Sequence, residues 1–135
     1  MEFRRLVELP IPQSGCGDTR VTADGLSLLV EYEYRKDASD LIGGIRFRGL
    51  IAYRFRNEFH SGGYPPESYE SIAEAVDSPW LEELAELEPA SLREAETKHH
   101  YAAFLSSNGC LEVAADTFEV IPPRCGVLSV SDYTV

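Results

Sequence analysis

Basic residues are scarce in this chain. Twelve Lys+Arg stand against 23 Asp+Glu, giving a formal charge of −11 and a sequence pI near 4.6. A nucleic-acid binder needs a basic footprint that releases counterions from the phosphate backbone, so no nucleic-acid partner is expected. Anionic lipid surfaces are disfavoured for the same reason. Long apolar runs are also missing, and no stretch approaches the ~20 residues that span a bilayer. Near the start, Glu2 and Glu8 interrupt any apolar run of the ~7–15 residues that a secretory leader requires. Cysteine is sparse and odd in number: Cys16, Cys110 and Cys125. A secreted disulfide framework normally uses an even set, so free thiols in a reducing cytoplasm are expected, with a Cys16–Cys125 bridge as the alternative. There is no internal repeat and no low-complexity tract. No glycine-rich loop leads into a helix to cradle phosphate, and nothing resembles a nucleophile elbow. No cofactor is expected.

What is present suits a single domain of 135 residues with 44% apolar content, enough for a core without disulfide staples. Residues 2–9 alternate weakly as a first strand. The run Pro10–Asp18 is rich in turn formers and reads as loop. In the stretch 26–35, Leu28, Val30, Tyr32 and Tyr34 share one parity and Glu31, Glu33 and Arg35 the other. That pattern predicts a strand with one wet face. After a polar turn at 36–40, residues 45–56 alternate again. Ile45, Phe47, Gly49, Ile51, Tyr53 and Phe55 point one way, with Arg46, Arg48, Arg54 and Arg56 on the other side. Twelve residues is long for a strand, and Gly49 near its middle predicts a bulge that lets it curl. A hairpin between 27–35 and 45–56 would put Glu31 and Glu33 on the arginine face.

Residues 68–76 fit either a helical stripe or an edge strand. Residues 79–88 are clearer. Ser78 is an N-cap, Pro79 suits the first helical position, Leu81, Leu84 and Leu87 form the apolar stripe, and Pro89 stops the helix. The strand at 99–106 reaches Asn108-Gly109, a strong hairpin signal, and returns as 110–115 with Leu111, Val113 and Ala115 inward. At Asp116-Thr117 the inward parity slips by one residue, which predicts a bulge. Pro122-Pro123 should end that strand. The fold class is α+β: a mainly antiparallel, curled sheet with one short amphipathic helix packed on a face.

The segments Asp77-Ser78-Pro79-Trp80, His99-His100-Tyr101 and Gly109-Cys110-Leu111-Glu112-Val113-Ala114-Ala115 carry a resemblance. With the alternating strand before them, they resemble a group of small uncharacterised bacterial proteins with a DSxW helix start and an HY…G..EV.A hairpin. That resemblance implies an extended conformation for 69–76 and carries no activity. Size and acidity also make the chain look like the immunity partners of bacterial toxins.

Adjacent histidines on a strand face opposite sides, so His99 and His100 cannot serve one metal. His60 and His99 with Cys110 or Glu112 have the donor types for zinc, although their spacing matches no metal signature. A hydrolytic alternative would draw on the same residues, with Ser106, Ser107 and Asp116 nearby. Structural roles are the expectation for all of them. Two charge patterns remain. Arg46, Arg48, Arg54 and Arg56 form a basic row, expected to pair with Glu31 and Glu33 or to bind an anion or a second copy in an oligomeric scaffold. Residues 67–96 hold ten acids against the single base Arg93, so −9 of the total charge sits in thirty residues. The leading expectation is a non-enzymatic, immunity- or antitoxin-like domain that meets a basic protein partner. It would use Glu82, Glu83, Glu86 and Glu88, with Trp80 or Tyr64 as aromatic anchors. Self-association through an open sheet edge is the alternative.

Overall fold

The computed structural model describes residues 2–11, 16–57, 64–87, 98–105 and 108–128. The described elements are β1 (Phe3–Glu8), β2 (Thr19–Asp24), β3 (Ser27–Lys36), β4 (Ser39–Arg48), β5 (Ala52–Asn57), β6 (Ser71–Ala75), α1 (Pro79–Glu86), β7 (His99–Leu105), β8 (Gly109–Ala115) and β9 (Thr117–Cys125). The strands pair antiparallel in two sheets, a five-stranded β1-β6-β7-β8-β5 and a four-stranded β2-β3-β4-β9. With one helix among the described residues, the class is α+β. None of the described helices is long and apolar enough to cross a membrane.

The two sheets face each other across one core. Leu28, Val30, Tyr32, Ile45 and Phe47 enter it from the four-stranded sheet; Ile72, Tyr101, Leu105, Leu111 and Val113 enter from the other. Tyr101 sits at the seam, 5.7 Å from the Phe47 ring and 5.2 Å from Phe118, which meets it edge-on. Parity in β3 is as the sequence requires, with Leu28, Val30, Tyr32 and Tyr34 all inside. The β3–β4 hairpin closes on Asp37 and Ala38, both at positive φ, as a two-residue turn demands.

The two expected bulges have a different origin. Residues 45–56 are not one curled strand: β4 ends at Arg48 in one sheet and β5 begins at Ala52 in the other. The slip at Asp116 likewise separates β8 from β9. The two crossings lie side by side, with Asp116 N donating to Arg48 O and Ile51 N to Ala114 O at 2.9 Å each. One two-stranded ribbon therefore serves both sheets and bends between them. Gly49 (φ +67°) is required at the bend, because a Cβ there would run into the Asp116 carboxylate. Lys98 closes the corner, bonding Asp116 at 2.8 Å and the Gly49 carbonyl at 3.3 Å.

Other boundaries moved as well. β2 was not expected; it pairs residue for residue with β3 through the Gly25 turn. Pro122-Pro123 does not end β9, which continues to Cys125. As an edge strand, β9 needs hydrogen bonds on one side only, and a register shift opposite Ile42–Gly44 absorbs the prolines. Residues 71–75 are a strand, not a helix. The three cysteines form no disulfide with one another; Cys16 and Cys110 are buried and Cys125 is exposed.

Candidate functional site

The outer face of the five-stranded sheet carries a line of polar side chains under α1. The β7–β8 register sets His100 opposite Ala114 and Ala102 opposite Glu112. The two alanines leave the diagonal between His100 and Glu112 open. On the far side, Arg54 of β5 stands directly opposite Glu112. The result is a continuous chain. Ser78 Oγ lies 2.7 Å from His100 Nδ1, His100 Nε2 lies 2.7 Å from Glu112 Oε1, and Arg54 grips Glu112 with a fork from Nε and Nη2 at 3.0 Å each. One proton assignment satisfies every partner: Nε2–H donates to the carboxylate, and Nδ1 accepts the Ser78 hydroxyl. That hydroxyl oxygen also accepts Leu81 N–H at 3.1 Å, capping α1 as the sequence predicts.

His100 is 0% exposed and is clasped by two rings, with Trp80 4.9 Å away and Phe3 5.5 Å away, both edge-on. The Arg54 guanidinium lies 4.2 Å over Trp80. Burial would raise the Glu112 carboxyl, but hydrogen bonds from His100 and Arg54 and the charge of Arg54 outweigh it and hold the pKa at about 2. The neighbouring Cys110 thiol goes the other way. Its burial and the Glu112 charge push it up to about 11 against the pull of Arg56 and Arg54, so it is a poor nucleophile.

Beside this chain opens a cleft of about 750 Å³. Arg54, Arg56 and Glu112 line it from the sheet; Glu2 and Phe3 line it from the amino-terminal segment and Tyr64 to Glu67 from the loop before β6. Tyr64 is held flat on Phe104, centroids 3.9 Å apart, and Tyr69 extends the stack. Ser78 and His100 are not among the lining residues. Ser78, His100 and Glu112 have the residue types of a hydrolytic triad, but the hydroxyl is spent as a helix cap and the imidazole is sealed. Their geometry ties α1 to the sheet.

The residues singled out from the sequence are dispersed. Trp80 and Tyr64 do reach this face. Glu82, Glu83 and Glu86 are exposed on α1, which buries no residue completely. Glu88 and His60 lie outside the described residues, as do Ser106 and Ser107. The arginine row is split between sheets, Arg46 and Arg48 on β4 and Arg54 and Arg56 on β5. Arg48 pairs with Glu119 and Arg54 with Glu112, not with Glu31 or Glu33. Glu31 is held instead by Arg20 and Arg124, and Glu33 accepts the backbone N–H of Asp18 and of Leu128. His99 turns to the other face and bonds Glu74. Glu112 thus meets His100, not His99. Among the described residues no three His, Cys, Asp or Glu side chains converge as a metal site. His100 and the second role of Ser78 were missed. The Asn-Gly signal marks a hairpin but not its register: Gly109 pairs with Leu105 inside the ladder, and it is this pairing that puts His100 and Glu112 on one face. The chain matches no family model, no curated protein and no solved structure among those compared.

Proposed function

We propose that this chain is a non-catalytic binding module, immunity- or antitoxin-like in kind, that receives a basic protein partner on the outer face of the five-stranded sheet. One observation carries the reading: an open cleft bordered by Glu2 and Glu67 lies on the face that α1 covers, and α1 exposes Glu82, Glu83 and Glu86. The polar chain underneath is closed on itself and offers no reactive end. Like charges this dense repel one another, and a cationic partner relieves that repulsion while speeding encounter. A second copy of the chain is a poorer partner at β5. Two-fold pairing centred on Arg54, Phe55 or Arg56 sets arginine against arginine.

Affinity purification from the native host, followed by the triple substitution Glu82→Lys, Glu83→Lys and Glu86→Lys, tests the proposal. The partner should be basic, and its association rate should fall and lose most of its salt dependence in the variant. A partner retained with an unchanged rate and salt slope would overturn it.

A further inference from the structure

The cleft carries charges of both signs. Two guanidinium groups, Arg54 and Arg56, rise from β5 beside the Glu112 carboxylate of β8, while Glu2 and Glu67 come from the flanking segments, with Phe3 and Tyr64 as the aromatic surface. A uniformly cationic ligand would meet the arginines, and a uniformly anionic one would meet the border glutamates and the overall charge of −11. The lining suits a ligand with a carboxylate beside cationic groups. Arg54 is prepared for the first of these. The Glu112 fork uses Nε and Nη2, Nη1 takes no part in it, and the guanidinium plane rests over Trp80. The fork itself is fixed from behind by His100 and Ser78. A guanidinium already held in place loses little freedom on accepting a carboxylate.

The C-terminal segment of a basic chain ends in a carboxylate. We propose that the cleft captures the free C-terminus of the basic partner, its carboxylate on Arg54 and Arg56, its last side chain against Phe3 and Tyr64, and its upstream basic side chains on Glu2, Glu67 and α1. This deepens the binding role proposed above and rests on it. It also assigns the buried Ser78–His100–Glu112 chain a task, that of positioning residues for Arg54.

The test uses the full chain and an array of synthetic hexapeptides carrying lysine or arginine at two upstream positions and each amino acid in turn at the last position. Every peptide is made as the free acid and as the C-terminal amide, and affinity is read by fluorescence anisotropy. Acids should bind about tenfold or more tighter than their amides, the loss expected for one charge-assisted contact. That ratio should fall below about threefold in Arg56→Gln, and in Arg54→Lys, which keeps the charge but loses the fork. Equal affinity of acids and amides overturns C-terminal capture and leaves the basic-partner reading standing. An acid preference that survives both substitutions overturns the assignment to this cleft. Failure of every basic peptide, acid and amide alike, overturns both proposals.

Discussion

Each sheet buries one glutamate on its outer face, and the two are used differently. Glu31 is 6% exposed and Glu112 8%. Glu31 sits between Arg20 of β2 and Arg124 of β9, at 3.0 and 2.9 Å, so it clamps both edges of the four-stranded sheet from its interior. Arg124 must reach over β4 to do this, and Gly44, directly opposite Glu31, leaves the lane open. Glu112 also has two partners, but one is a wholly buried imidazole and the other is stacked on a tryptophan. The first clamp stays within a sheet. The second joins sheet, helix and cleft. The same carboxylate chemistry thus has consequences set by whether any partner is cut off from water: Arg54 is 48% exposed, but His100 is sealed.

The largest expected effect follows from that difference. Glu112→Ala leaves His100 buried without its acceptor and Arg54 without its fork, and should cost about 3 kcal/mol or more in denaturant unfolding. The pH dependence should agree. The folded-state pKa of Glu112 is depressed, so the stability it provides is complete above the unfolded carboxylate range and is lost as pH falls towards about 2. Glu112→Gln should flatten the acid limb of the stability profile between those limits. An unchanged limb would mean that the carboxylate is not what acid titrates there.

Next in size is Ser78→Ala, at about 2 kcal/mol. It removes the cap on α1 and takes the hydroxyl donor from His100 Nδ1. Hydrogen exchange at Leu81 N–H should accelerate, since that amide loses its acceptor. Loss of the cap alone would cost about 1 kcal/mol, so a value near 1 would detach Ser78 from the polar chain.

How far the sequence reveals these two regions differs as well. The clean alternation of β3 fixes its inner face, and the Asn-Gly signal marks the β7–β8 hairpin, although Gly109 itself belongs to β8. Ser78-Pro79 marks the start of α1. What stayed hidden was non-local. Gly49 within the alternation and the parity slip at Asp116 look like separate bulges until their adjacency is known, and only then do they become one corner. β2 is short and mostly polar, so its alternation gives no strand signal. The arginine row looked continuous because alternation continues across the corner, although the sheet does not. A structural role for His100 is legible, but its burial depends on Trp80 and Phe3, which reach it from two separate upstream segments.

Glu31→Ala should show the smallest loss, about 1 kcal/mol. Burial of Glu31 works against its charge, but hydrogen bonds from Arg124 and Arg20 outweigh that and lower its pKa, so the ion pairs do stabilise the fold. The difference lies in what removal leaves behind. The Arg20 side chain is 29% exposed and that of Arg124 56%, so both guanidinium groups can turn to water once the carboxylate has gone. No charge is stranded, and the strands keep their backbone ladders to β3 and β4. Because both partners reach solvent, added salt should narrow the gap between Glu31→Ala and the unsubstituted chain and should reduce the Glu112→Ala deficit by less, since Arg54 is 48% exposed but His100 is sealed. Equal losses for the two alanine variants at equal salt would mean that burial of the glutamate itself, and not its partners' access to water, sets the cost.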